Sequence, residues 1–154
     1  MTGQDIANAA MTWLGTPHID NAKAKGHGVD CAHLLIAACE EAGIYEVGEV
    51  DPGYYPHDWH MHRSEERFLE TVKKHCRRVK IPQVGDIFLY RYGRTISHGA
   101  IYVGKGMLIH AYVGQGVILS KMGDVIFCDQ KGRSRLQGIY RLKKLLKKSP
   151  NKGS

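Results

Sequence analysis

Apolar residues recur at helical spacing in the first half of the chain and at alternate positions in the second half. The helical pattern covers residues 4–14, a segment from Asp30 to Gly43, and residues 64–76. After Pro82 the period changes to two, and the strand-like segments are 86–92, 97–103, 107–113, 116–121 and 138–142. Helices followed by strands predict one α+β domain, in which N-terminal helices pack on a C-terminal antiparallel sheet.

The loop between the second and third strands decides which side chains share a face of this sheet. If residues 104–106 form a three-residue hairpin loop, Val103 pairs with Met107, and His98 and His110 become diagonal neighbours on one face. A loop of two or four residues would put the two histidines on opposite faces. The pairing of these histidines therefore depends on the hairpin register.

The charge of the chain is strongly basic. The 154 residues carry a formal net charge of +7, and much of the excess lies in the segment 141–148. We expect a single domain over residues 1–142 and a basic, flexible tail over residues 143–154. Such a charge suits polyanionic surroundings such as cell-wall polymers, an anionic membrane surface or nucleic acid. No nucleic-acid readout motif is present, so we predict no specific nucleic-acid partner.

Other features of the sequence exclude several classes of protein. No apolar run approaches the ~20 residues of a transmembrane helix, and the first residues lack a basic start and an apolar stretch, so we expect a cytoplasmic location in the producing cell. The four cysteines have no paired spacing and are predicted to be free thiols. The histidines at 57, 60 and 62 lack the spacing of a zinc motif, and we predict neither a metal nor a cofactor.

Cys31 lies at the point where a glycine-containing loop turns into an apolar helix. The thiolate is the reactive form of cysteine, and the unpaired N–H groups at a helix N-terminus favour that anion. A cysteine hydrolase also needs an imidazole that transfers protons and a polar group that orients it. We predict Cys31 as the nucleophile, His98 as general base and acid, and His110 as the orienting residue. The backbone N–H of Cys31 is predicted to help hold the oxyanion.

These residues lie in motifs that resemble a known family. The matching stretches are Trp13–Pro17, Gly28–Ala32, Gly85–Ile87, Ser97–Val103 and Leu108–Ala111. In this order they are similar to the NlpC-type cell-wall cysteine peptidases, which have a papain-like α+β fold. The resemblance covers roughly residues 4–142. A further segment, 55–62 together with Glu65 and Glu66, resembles the bacteriophage and prophage branch of that family.

The resemblance implies hydrolysis of an amide in peptidoglycan stem peptides, typically the bond between γ-D-glutamyl and a diamino acid. Cys31, His98 and His110 match the catalytic positions, and His18, Asp20 and Asp30 are expected to contact substrate. Many relatives carry tyrosine where this chain has His18. The phage branch implies phage tail proteins as partners and action at the bacterial cell wall.

Two other functions are compatible with the same residues. One is a papain-like amidase or acyltransferase that uses another acyl substrate. The other is a tail assembly protein in which the catalytic site is vestigial.

Overall fold

The structure is a computed structural model that describes residues 1–50, 61–92 and 95–146, without the side chains of 61–67 and 95. In this part of the chain the helices are α1 (Gly3–Met11), α2 (Cys31–Glu41), α3 (Met61–His75) and α4 (Lys143–Leu146). The strands are β1 (Lys23–Ala24), β2 (Gly28–Val29), β3 (Cys76–Val79), β4 (Ile87–Tyr92), β5 (Thr95–Gly104), β6 (Met107–Tyr112), β7 (Gly116–Lys121) and β8 (Leu136–Leu142).

Two antiparallel sheets are present among the described residues. The strands β1 and β2 form a short ribbon, and the main sheet has the order β3-β8-β4-β5-β6-β7. The predicted meander from β4 to β7 is confirmed. The strand β8 pairs antiparallel with β4, on the side of β4 opposite β5. The α+β class is therefore correct, with the helices packed on one face of the sheet.

The helix α2 lies in the centre of the larger core. Asp30 caps its N-terminus, because the side chain accepts a hydrogen bond from the backbone N–H of His33. Seven of its eleven residues are buried, because α1 packs on one side of the helix and the sheet on the other. Cys39 is one of these buried residues and packs as part of the core.

The hairpin between β5 and β6 has the predicted register but a different loop. Gly104 pairs with Met107, so the loop has two residues, and both Lys105 and Gly106 have positive φ angles, 55° and 75°. A bulge at Val103 adds one residue to β5, and Tyr102 therefore still pairs with Leu108. The expectation that a two-residue loop would separate the histidines is wrong, because the bulge compensates for the shorter loop.

The third helix and the strand after it differ from the prediction. The helix α3 begins at Met61 rather than Ser64 and ends at His75. The next four residues form β3, which pairs with β8 at the edge of the sheet and was not predicted. With only four residues and two adjacent exposed arginines, Arg77 and Arg78, this strand has too little alternation to be recognised. The segment 55–60 lies outside the described residues, as do the side chains of His62, Glu65 and Glu66.

The start of the predicted tail is ordered by contacts with the domain. Its first four residues form α4, where Lys143 donates to the carbonyl oxygen of Lys74 at 3.2 Å. Lys144 donates to the carbonyl oxygen of Ile44 at 3.1 Å and lies 4.3 Å from the ring centre of Tyr45. In the described ranges, no helix is long and apolar enough to cross a membrane.

A buried ion pair joins the start of β4 to β8. The Arg141 guanidinium donates to both carboxylate oxygens of Asp86, each at 2.8 Å, and the Asp86 side chain is 1% exposed. Asp86 also accepts a hydrogen bond from the backbone N–H of Gln83 at 2.7 Å. The carboxylate therefore accepts three hydrogen bonds, which hold the residues before β4 in place.

Replacing Arg141 with alanine is expected to lower the free energy of unfolding by about 3–5 kcal/mol, because Asp86 would remain buried without its counter-ion. Urea unfolding measures this loss. Arg133→Ala is the matched control, since Arg133 is 72% exposed in its pair with Asp129 and should cost less than about 1 kcal/mol. Equal losses in the two variants would contradict the structural role of the buried pair.

Candidate active site

Cys31 is the first residue of α2, and its sulfur contacts the backbone of β5. The thiol donates to the carbonyl oxygen of Ser97 at 3.6 Å, and the backbone N–H of Gly99 also hydrogen-bonds to the sulfur. The sulfur therefore lies against the backbone on both sides of His98. The structure brings the predicted nucleophile and the predicted base to one place.

Gly99 of β5 lies directly under side chains of α2 and α3. A Cβ atom at position 99 would lie 2.9 Å from the ring of Phe68 and 3.0 Å from Leu35, which is tighter than ordinary packing. The missing side chain thus leaves room for Leu35 of α2 and Phe68 of α3 against β5. The glycine in the Ser97-His98-Gly99 motif has a steric reason for its presence.

His98 and His110 are joined by a hydrogen bond and form part of a longer polar array. Nε2 of His98 lies 2.8 Å from Nδ1 of His110, and Nε2 of His110 lies 2.9 Å from Oγ of Ser120. The three residues, here called the polar triad, are 7%, 0% and 6% exposed. They lie on β5, β6 and β7, so diagonal positions across three neighbouring strands produce the array.

Aromatic side chains surround the polar triad and exclude water from it. The His98 ring centre lies 5.8 Å from Tyr92 and 5.9 Å from Tyr112, and the His110 ring centre lies 4.9 Å from Phe127. Burial lowers the pKa of His98 to about 3 and that of His110 to about 4. Charge on His110 acts in the same direction on His98, so both imidazoles are neutral near pH 7.

The Cys31 thiol is also uncharged in this environment. The residue as a whole is partly exposed, but its sulfur is desolvated, and burial raises the pKa of the thiol to about 12. The Asp30 carboxylate raises it further, whereas the backbone N–H groups of Gly99, Ala32 and Cys31 lower it. The helix start therefore favours the thiolate as expected, but burial outweighs this effect in the free protein.

The three residues expected to contact substrate have different environments. His18 forms an isolated parallel β-bridge with Val29 through the backbone. Its charge also contributes to the lowered pKa of His98. Asp30 accepts hydrogen bonds from the backbone N–H groups of Asn21 and His33, each at 2.8 Å, and from the His33 ring. Its carboxylate thus has a structural role in shaping the loop. Asp20 lies in the same loop, and a contact between substrate and any of these three residues stays a prediction.

Sequence reasoning missed Ser120 and the aromatic residues around the histidines. Strand parity could have found Ser120, because it pairs with Leu108, which shares a face with His110. Phe127 comes from the short 3₁₀ helix Val125–Phe127, which carries no strand or helix pattern of its own. Among the described side chains, no group of three or more histidines, cysteines and carboxylates is arranged to hold a metal ion.

Comparison with protein families identifies the domain. The model of the NlpC/P60 family matches residues 15–126. The chain belongs to the NlpC/P60 family. A stretch of 42 residues is 40% identical to the murein DD-endopeptidase MepS/murein LD-carboxypeptidase of Escherichia coli K12. This stretch covers 27% of this chain and 22% of that protein.

Solved structures of NlpC/P60 proteins have the same fold. NlpC1 from Trichomonas vaginalis superposes with a TM-score of 0.64 at 22% identity, over 91% of this chain and 44% of that one. An NlpC/P60 family protein from Bacillus cereus ATCC 10987 has a TM-score of 0.64 at 18% identity, over 92% and 40%. The NlpC/p60 domain of the peptidoglycan hydrolase SagA has a TM-score of 0.61 at 19% identity, over 92% and 100%. The chain spans less than half the length of the first two and about a fifth of the Escherichia coli protein.

The lowered pKa values of His98 and His110 predict that the free energy of unfolding depends on pH. Their pKa values in the folded protein lie below the ordinary value of 6.5, so the unfolded chain binds protons first as the pH falls. Stability is therefore complete above pH 6.5 and should fall between pH 6.5 and 5, by up to about 1.4 kcal/mol per pH unit for each histidine. Urea unfolding at a series of pH values measures this slope.

Two variant proteins serve as controls for this experiment, one with both histidines replaced and one with a distant histidine replaced. His98→Gln with His110→Gln should flatten the slope, and His27→Gln, which changes an exposed histidine away from the site, should leave it unchanged. A stability that is constant between pH 7.5 and 5 in the unmodified protein would show that the two imidazoles are not held neutral.

Proposed function

We propose that this chain is a cysteine peptidase that hydrolyses an amide bond in peptidoglycan stem peptides. The observation that carries the proposal is the position of the Cys31 sulfur against the backbone of β5 on both sides of His98, with His98 bonded to His110. A cysteine at a helix start beside an oriented imidazole is the arrangement that nucleophilic hydrolysis of an amide requires. Family membership and the names of similar proteins support peptidoglycan as the substrate.

The first half of the reaction forms an acyl-enzyme. The thiol proton moves to Nδ1 of His98 while the sulfur electron pair attacks the amide carbonyl carbon. The charge on the carbonyl oxygen is then stabilised by backbone N–H groups, among them that of Cys31. His98 returns the proton to the leaving amine as the C–N bond breaks, which leaves a thioester on Cys31.

The second half releases the product. His98 takes a proton from a water molecule, and the resulting hydroxide attacks the thioester carbonyl carbon. The C–S bond breaks, the carboxylic acid product leaves, and the sulfur recovers its proton from His98. Since burial disfavours the charged forms of the Cys31 thiol and the His98 imidazole in the free protein, we expect the proton transfer to accompany the attack.

Within the stem peptide, we propose cleavage between γ-D-glutamyl and the diamino acid, the bond typical of the family that the motifs resemble. The Escherichia coli relative is named for a DD-endopeptidase and an LD-carboxypeptidase activity, so these bonds are the alternatives to compare. The net charge of +7 supports attraction to anionic cell-wall polymers.

Digestion of purified peptidoglycan with mass spectrometry of the fragments tests this proposal. The unmodified protein should release peptides with a new N-terminus at the diamino acid. Cys31→Ala should lower the rate at least about 1,000-fold, because no nucleophile remains, while the circular dichroism spectrum stays unchanged. Cys128→Ala is the matched control, a partly exposed cysteine outside the site, and should retain full activity.

The fragments also separate the alternative functions. Fragments from another stem-peptide bond would contradict the bond assignment but keep the peptidase. Transfer of an acyl group to an added amine without hydrolysis would indicate an acyltransferase. Activity in the Cys31→Ala protein would overturn the assignment of the nucleophile.

We also propose that the protein serves a bacteriophage or prophage and acts with tail proteins at the host cell wall. The support is the resemblance of the segment 55–62, of which the structure describes only the backbone of Met61 and His62. Phage particles carrying Cys31→Ala should assemble in normal numbers but infect poorly, because wall hydrolysis is lost. Particle counts by electron microscopy and plaque counts measure the two effects separately. Cys31→Ala particles that assemble and infect normally would favour a tail assembly protein with a vestigial site.

A further inference from the structure

Ser120 occupies the end of the polar triad, away from Cys31. It lies on the edge strand β7, is 6% exposed, and its Oγ is 2.9 Å from Nε2 of His110. His110 is completely buried, so water has no direct access to that nitrogen. The hydroxyl of Ser120 is therefore the group that satisfies the outer nitrogen of the second histidine.

The two hydrogen bonds of the triad restrict where the protons lie. A neutral imidazole carries one proton, and each hydrogen bond needs one donor and one acceptor. If Ser120 accepts, His110 carries its proton on Nε2 and accepts at Nδ1 from the Nε2 proton of His98. Nδ1 of His98 is then unprotonated and can receive the thiol proton.

The opposite orientation of the hydroxyl gives a different site. If Ser120 donates to Nε2 of His110, the His110 proton is on Nδ1 and is donated to Nε2 of His98. The proton of His98 is then on Nδ1, where it blocks transfer from the thiol. The direction of a single buried hydroxyl is thus coupled, through two rings, to the nitrogen that serves as the base.

We propose that Ser120 is a positioning residue for the hydrolysis, which accepts a hydrogen bond from Nε2–H of His110 and thereby holds His98 in the tautomer that can act as base. This inference rests on the proposed peptidase function. Serine suits the position, because its hydroxyl proton can rotate away while an oxygen lone pair accepts. The sheet fixes the arrangement, since Ser120 pairs with Leu108, two residues from His110 on the same face.

Kinetics on a stem-peptide substrate give the first test. Ser120→Ala leaves a buried N–H of His110 without an acceptor and removes the bias between tautomers, so kcat should fall about 10- to 100-fold while KM changes less than about twofold. Ser120→Thr keeps the hydroxyl and should retain most of the kcat of the unmodified protein. Leu119→Ala is the matched control, an exposed side chain on the opposite face of β7, and should have no effect.

Imidazole nitrogen chemical shifts give a second test that needs no substrate. In ¹⁵N-labelled protein, His98 and His110 should both appear as the Nε2–H tautomer, and Ser120→Ala should shift both toward mixed tautomers. Nδ1–H tautomers in the unmodified protein would overturn the proposal, and so would an unchanged kcat in folded Ser120→Ala. If the unmodified protein hydrolyses no stem peptide, the peptidase function fails, and the nitrogen shifts still decide whether Ser120 sets the tautomers.

Discussion

The contact between α2 and β5 at Gly99 is the packing constraint on which the site depends. A side chain at position 99 would meet the ends of the Phe68 and Leu35 side chains within about 3 Å, so both would have to shift. With glycine there, the Cys31 sulfur lies against the backbone on both sides of His98. The nucleophile comes from a helix and the base from a strand, and only their close packing brings the two together.

The register of the sheet then extends the site away from the helix. Because side chains alternate between faces, a slip of one residue in β5–β6 would move His110 into the core under the helices. The bulge at Val103 prevents this by restoring the pairing beyond the two-residue loop. The polar triad thus lies on the face that carries the smaller core cluster, Phe88, Tyr90, Ala100, Leu108 and Phe127.

Much of this architecture follows from sequence patterns, because the strongest signals are local. The start of α2 at Cys31 is marked by Asp30 as a helix cap, and β4 to β7 are marked by alternation and glycine turns. The bulge at Val103 was not predictable, since its backbone geometry depends on pairing with another strand. The strand β3 is formed by its pairing with β8, and its own four residues give no clear pattern.

In the candidate site, too, only the residues that lie in local sequence motifs were predictable. Cys31, His98 and His110 stand in recognisable local motifs, and the structure brings them together. Ser120 has no motif, and its role becomes visible only when three strands are in register. The environment of Cys31 was also beyond sequence reasoning, because a helix start alone predicts a stabilised thiolate, whereas the desolvation of the sulfur depends on the whole tertiary structure.

The opposing effects at Cys31 have a consequence for the proposed reaction. In the free protein, burial keeps the thiol protonated and the His98 imidazole neutral, so no ion pair is present to react with unrelated electrophiles. During attack, the negative charge moves from sulfur to the substrate oxygen, where backbone N–H groups can stabilise it. The positive charge on His98 can be shared through His110 toward Ser120. The same desolvation that suppresses the resting thiolate strengthens these interactions in the transition state, because charges and dipoles interact more strongly where water is excluded.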